Sequence, residues 1–213
     1  MTVFLLIVIA IESYVIGGVN GAIIVSKFLY HKDVRNYGSG NAGLTNFYRV
    51  FGPFGVALVL GLDIVKSVVA VLIGKLLMGI VSAPTVGTVF SGFCLMLGHV
   101  YPIFYGFKGG KGVLCGCVVT FMVRWWIGAL CLLVFFVVVI FTRYVSLGSM
   151  AGSIVFAPLV WIAGLGGLEG LLALFCALLL VFEHRSNIRR LINHTEPKFD
   201  FKHPERRIEK DSF

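Results

Sequence analysis

Across residues 3–24 the chain carries one charged side chain, Glu12, and across residues 54–74 only two, Asp63 and Lys66. Runs of this kind constrain a fold more than any motif. A helix needs roughly 20 mostly apolar residues to cross the hydrocarbon core of a bilayer. Inside that core the backbone must satisfy its own polar groups, which a helix does within one segment. Composition agrees: 13% of the 213 residues are charged and 58% are hydrophobic, whereas a soluble domain carries about 25% charged residues. The sequence therefore predicts an all-α, polytopic integral membrane protein.

The apolar segments fall at about 3–26, 53–76, 86–106, 113–123, 125–142, 148–165 and 168–183. Residues 113–141 are ambiguous, because their length suits one long helix or two short ones. Arg124-Trp125-Trp126 in their middle suits a membrane interface better than a bilayer centre. Charge placement then favours seven transmembrane helices with the N-terminus outside and the C-terminus cytoplasmic. In that arrangement every Lys and Arg except Lys66, Lys75 and Arg124 lies on the cytoplasmic side. A single helix over 113–141 would turn Arg143 away from the basic C-terminal tail, against the positive-inside rule. No basic region precedes the first apolar run, the reverse of a cleaved leader, so that run is expected to remain as the first helix. Residues 1–198 are expected to form one transmembrane domain and 199–213 a basic cytoplasmic tail.

The net charge of +8 raises the question of nucleic acid. No basic run is interleaved with stacking aromatics in the way single-strand binders require, so nucleic acid is not an expected partner. The five cysteines all lie in apolar segments. Cys115-x-Cys117 is too tight for the usual metal spacing and no matching Cys/His pair follows, so they read as small buried hydrophobes. No metal or other cofactor is expected.

Three polar segments interrupt the apolar pattern, and the seven-helix topology puts all of them on the cytoplasmic face. The first is GSGNAGLTN, residues 38–46, followed by Arg49. Its glycines permit a closely approached backbone, and successive N–H groups there can form an anion nest. Arg49 adds a fork that matches phosphate. The alternative is a polar turn that caps the next helix.

The second is KGGKG, residues 108–112, preceded by Gly98-His99. Its glycines can turn amides toward an oxyanion, its lysines supply charge, and the next helix adds its dipole. The spacing is not that of a Walker A loop. A plain positive-inside loop explains the lysines but not three glycines.

The third is HRSNIRR, residues 184–190. On a helix His184, Asn187 and Ile188 share a face. Arg189 and Arg190 read as cations that meet acidic headgroups.

Ionisable groups inside helices are costly, and the i, i+3 pair Asp63 and Lys66 reads either as a structural pair or as a site wall. There is no G-x-S-x-G elbow and no H-x-x-x-x-D pair. What remains is rich in anion holders and poor in acids and bases.

GSGNAGLTNFYRVFG, GHVYPIFYGFKGGKGV, TRYVSLGS and HRSNIRRLINHTEPK, in that order between hydrophobic spans, resemble the bacterial acyl-phosphate:glycerol-3-phosphate acyltransferase family. The resemblance runs from about residue 16 to residue 198. It implies a seven-helix enzyme of the bacterial inner membrane, with its active site facing the cytoplasm. It implies transfer of a fatty acyl group from acyl phosphate to the sn-1 hydroxyl of glycerol 3-phosphate, giving lysophosphatidic acid and phosphate. It further implies a place downstream of the soluble enzyme that makes acyl phosphate.

By motif position, the resemblance makes Ser39, Arg49, Lys108, His184 and Asn187 the expected catalytic set. Gly38, Gly40, Asn41, Thr45, Asn46, Gly109, Gly110, Lys111 and Gly112 are the expected phosphate holders, with Arg143, Ser146, Arg185 and Glu196. The family's G-S-I-P reads Gly17-Gly18-Val19-Asn20 here, a change that bears on packing.

A transporter of a phosphorylated solute would use the same anion holders. It would also need a polar outer route, which the outer connections do not supply. A lipid-binding scaffold would explain the basic tail but neither glycine-rich segment.

Overall fold

The computed structural model describes residues 1–199. Among these the chain is helical with no strand. The first apolar run forms α1 (Thr2–Gly17) and α2 (Gly21–Tyr30). A short 3-10 turn (Val34–Asn36) and α3 (Leu44–Phe51) lead into α4 (Val56–Gly79). Next come α5 (Pro84–Val100), α6 (Val113–Val123) and α7 (Trp125–Thr142). The chain ends in α8 (Val145–Ile154), α9 (Phe156–Ile162), α10 (Leu168–Glu183) and α11 (Arg185–Ile192).

Among the described residues five stretches are long and apolar enough to cross a membrane, namely 2–30, 56–79, 84–105, 125–142 and 145–162. The pair α10 and α11, bent by 55°, makes a sixth, and α6 is a shorter apolar helix. Residues 113–142 are two helices that break at Arg124, whose φ of −154° is extended. The expected tail falls, except for Phe199, outside the described residues.

Of the five long stretches, α5 is the most enclosed and α7 the least. The outward face of α7 carries Leu130, Leu133, Val137 and Phe141, which suits contact with lipid tails. Close helix packing in lipid depends on small residues. A Cβ on Gly98 of α5 would lie 2.0 Å from the Tyr14 carbonyl oxygen of α1, and one on Gly87 would lie 2.2 Å from the Gly74 oxygen of α4.

The first span is not one helix: Gly18 and Asn20 interrupt its apolar run. Asn20 caps α2, its Oδ1 accepting from the Ile23 amide at 3.0 Å. Across the break, Lys66 of α4 donates to the carbonyls of Gly17 and Val19. Carbonyls freed at a helix end need such partners in a dry interior. The irregular Gly17-Gly18-Val19-Asn20 segment is thus a built joint.

Candidate active site

The first wall of the site is the loop over 37–43 with the start of α3. Gly38 and Gly40 adopt φ of +60° and +72°, the left-handed region that glycine enters without strain. Asn46 is 2% exposed and holds the loop. Its Oδ1 accepts from the Ser39 amide at 2.9 Å, and its Nδ2 donates to the carbonyls of Val34 and Tyr37. One helical turn separates Thr45 from Arg49. Both line a shared cavity with Ser39, Asn41, Asn46 and Tyr48.

The second wall is the KGGKG loop. Its glycines do not cradle an anion with all their amides, as the sequence suggests. The Gly109 amide donates to the Val100 carbonyl and the Gly110 amide to the His99 carbonyl, both at 3.1 Å. The amide count therefore excludes those two N–H groups as anion donors, and their glycines serve close approach. A Cβ on Gly109 would lie 2.0 Å from the His99 oxygen, and one on Gly110 would lie 2.2 Å from His99 Nε2. The Gly109 carbonyl accepts from the Ala42 amide, which joins the two loops. Arg35 adds a tie, pairing with Asp33 while donating to the carbonyls of Tyr105 and Lys108. Its guanidinium holds the Asp33 carboxyl down to about 2.

Gly112, at φ +76°, caps the start of α6, and Gly112, Val113 and Leu114 face the cavity. The first amides of a helix have no intrahelical partner and favour an anion. The two lysines part company. Lys111 lines the cavity and donates to Asn187 Oδ1, whereas Lys108 is exposed and lies off the lining. Burial pushes the Lys111 ammonium down to about 8, with Arg190 adding to that and Glu196 opposing it.

The third wall is the hook of residues 184–196. His184, at the bend between α10 and α11, is 3% exposed. Its Nδ1 lies 2.8 Å from the Leu180 carbonyl. A carbonyl only accepts, so Nδ1 carries the hydrogen and Nε2 keeps its lone pair. Glu196 is the hub of this wall: Ser146 Oγ, Asn187 Nδ2 and Arg190 Nε donate to its carboxylate at 2.6, 2.7 and 2.7 Å. Burial raises the carboxyl, but these three donors outweigh it and hold Glu196 below its ordinary range. Arg143 is exposed and does not line the cavity; its Nε donates to the Phe199 carbonyl at 3.1 Å. Arg185 is exposed, pairs with Glu183 at 3.2 Å and does not line the cavity.

The three walls enclose one cavity of about 570 Å³. Below its polar mouth it continues as an apolar slot between α6, α7, α8 and α10, along Gly116, Cys117, Phe135, Val139 and Leu180. The slot reaches Thr120, Cys131, Phe156 and Cys176, about 12 Å below His184 along α10 by helical rise. Those residues, except Thr120, belong to the same buried cluster as Val123, Ile127, Val160 and Ala173. Such a space takes a molecule with an anionic head and an aliphatic tail. Asp63, His99, Tyr48, Arg190 and Phe199 also line the cavity; of these the sequence points to Asp63 alone, as half of a structural pair or as a site wall. For His99 the available signal was an ionisable residue inside a spanning segment.

The model of the family described as glycerol-3-phosphate acyltransferase matches residues 7–194. A glycerol-3-phosphate acyltransferase of Thermoanaerobacter sp. (strain X514) is 43% identical over 189 residues, which cover 89% of this chain and 93% of that protein. One from Clostridioides difficile (strain 630) is 38% identical and covers 93% and 97%. Among solved structures, the glycerol 3-phosphate form of PlsY, an integral membrane glycerol 3-phosphate acyltransferase, superposes with a TM-score of 0.82. It is 32% identical, with 92% of this chain and 96% of that one covered. The lysophosphatidic acid form gives a TM-score of 0.80 at 30% identity, with 92% and 95% covered.

Proposed function

The chain belongs to the glycerol-3-phosphate acyltransferase family, and from that premise we propose that acyl phosphate is its donor and the sn-1 hydroxyl of glycerol 3-phosphate its acceptor. The products are lysophosphatidic acid and inorganic phosphate. The observation that carries this reading is the single cavity in which a cation-bearing, glycine-shaped mouth opens into an apolar slot. Both substrates bear a phosphate and one also bears an acyl chain, and the cavity offers a place for each part.

In the proposed reaction the hydroxyl oxygen attacks the acyl carbon and the bond from that carbon to the phosphate oxygen breaks. Phosphate leaves with the bonding electrons. It is a good leaving group, so no covalent acyl-enzyme is required. Arg49, Lys111 and the first amides of α6 hold the anions, with Ser39, Asn41 and Thr45 as neutral partners. Catalysis then comes mainly from alignment and charge stabilisation.

The hydroxyl proton goes to His184 or to the leaving phosphate. The free lone pair on His184 Nε2 supports the imidazole. His184→Gln in purified protein is expected to lower turnover by about 10²-fold or more. Near wild-type turnover gives the proton to the phosphate.

We place the cavity mouth on the cytoplasmic side of the bacterial inner membrane, with seven crossings and the N-terminus outside. The gathering of all three polar segments around one cavity supports a common face for them. A soluble enzyme that makes acyl phosphate then delivers the donor from the cytoplasm. The deciding experiment supplies acyl phosphate and labelled glycerol 3-phosphate to the detergent-solubilised protein. Labelled lysophosphatidic acid is expected. Its absence, alongside uptake of glycerol 3-phosphate into sealed vesicles, overturns the enzyme reading in favour of a transporter.

A further inference from the structure

Three ionisable side chains from two spans meet beneath the loops and take no part in the reaction described above. Lys66 Nζ lies 2.9 Å from Asp63 Oδ1 and 2.9 Å from His99 Nδ1. Asp63, Lys66 and His99 are 2%, 6% and 4% exposed. Buried charges are retained at a cost when they only stabilise, because packed apolar residues do as well or better. These three reach outward to the joint after Gly17 and to the second loop. Lys66 holds the Gly17 and Val19 carbonyls of the joint. Asp63 Oδ1 accepts from the Gly21 amide at 3.1 Å, which fixes the start of α2. Asn20 at that joint donates to the Ala42 carbonyl of the first loop at 3.0 Å.

His99 supplies the link to the second loop. An ammonium only donates, so the contact with Lys66 makes Nδ1 an acceptor and leaves the hydrogen on Nε2. The ring is thereby held with its Nε2 edge against Gly110. A Cβ there would lie 2.2 Å from Nε2 and 2.8 Å from the Ala42 carbonyl oxygen. The same ring's backbone carbonyl takes the Gly110 amide. The imidazole therefore touches the point where the two loops meet.

We propose that Asp63, Lys66 and His99 form a positioning unit that sets the register of the two anion-holding loops, with the His99 ring as spacer against Gly110 and Lys66 as the group that fixes the ring. The proposal rests on the acyl-transfer reading for its kinetic test only. A loss of folded enzyme lowers Vmax and leaves KM alone, whereas loosened register weakens the hold on both phosphate-bearing substrates. The paired substitution Asp63→Asn with Lys66→Met removes both charges together. His99→Asn keeps an acceptor for Lys66 and removes the ring edge. KM for acyl phosphate and for glycerol 3-phosphate is expected to rise together in either variant, by roughly tenfold.

Unchanged KM values with lower Vmax would mean a purely structural role and overturn the proposal, as would a rise for one substrate alone. If the paired variant does not accumulate in the membrane, His99→Asn decides by the same criterion. Calorimetric titration of glycerol 3-phosphate into the same samples reads the register without turnover. A Kd weakened by roughly tenfold supports the proposal, and an unchanged Kd overturns it. Wild-type protein that binds glycerol 3-phosphate but forms no lysophosphatidic acid defeats the acyl-transfer reading and leaves the positioning unit to the calorimetry.

Discussion

On the wall built from residues 37–46 and 107–112, main chain binds main chain: Ala42 to Gly109, Gly109 to Val100, Gly110 to His99. On the wall built from residues 184–196, side chains bind side chains, and Ser146, Asn187 and Arg190 converge on the one carboxylate of Glu196. Where these two loops meet, beyond the Asn46 and Arg35 side chains that tie them, the wall is fixed by how closely backbones approach, so it is sensitive to the volume of a single methyl group. The second is fixed by a charge, so it is sensitive to the identity and ionisation of a single side chain. Both meet at Lys111, which belongs to the backbone-built loop and donates to Asn187 of the hub.

The sharpest way to break the second wall is Glu196→Ala. It leaves three donors without their acceptor, and removing one partner of a buried pair costs about 3 kcal/mol. Because the hub also places Asn187, turnover should fall by more than about 10²-fold. Thermal unfolding in detergent and the labelled-product assay measure the two effects. Gly110→Ala tests the other wall. We expect turnover about 10²-fold lower, because a small displacement at a site of alignment has that effect. Its unfolding temperature should fall less than that of Glu196→Ala. An equal loss of stability in the two variants would erase the distinction between the walls.

Where the walls meet, pH is the lever. Lys111 is held to about 8, so its ammonium is present below that pH and lost above it. The value of kcat/KM, which reports the free enzyme, should therefore fall above about pH 8, approaching tenfold per pH unit. Lys111→Arg, whose guanidinium stays charged, should flatten that limb. The smallest effect concerns acid. Glu196 titrates below its ordinary value of 4.5. A depressed carboxyl stabilises the fold fully above its unfolded pKa and loses that contribution as pH falls through its folded pKa. The unfolding temperature should decline on acidification below about pH 4.5, and less steeply in Glu196→Gln.

The helices themselves were largely legible in the sequence. The apolar segments at 113–123 and 125–142 coincide with α6 and α7, because Arg124 marks an interface that hydrophobicity alone ignores. The joint after Gly17 was not read from the sequence, because Gly18 and the capping Asn20, which are break signals, sit inside an otherwise apolar run. What opens the chain there is Lys66, 49 residues from Gly17 in sequence, and such a tertiary partner leaves no local mark. The choice between Lys108 and Lys111 was equally hidden. A helix gives a period from which a face can be inferred, whereas a glycine-rich turn has none. His99 stood beside the second motif, yet its role depends on a lysine contributed by another span.

The length of α6 carries a consequence for the lipid. Its 11 residues cover about 16 Å, roughly half of a 30 Å hydrocarbon core. In the seven-crossing arrangement proposed above, a crossing that short is in hydrophobic mismatch with its bilayer, so the surrounding lipid thins or the flanking polar groups sink. The flanking groups are Arg124 at one end and the KGGKG turn at the other. Sinking lowers the mouth of the cavity beneath the headgroup plane. In the proposed reaction a water-soluble phosphate and an acyl chain from the membrane then arrive at the same depth, and bilayer thickness becomes one of the variables that set the rate.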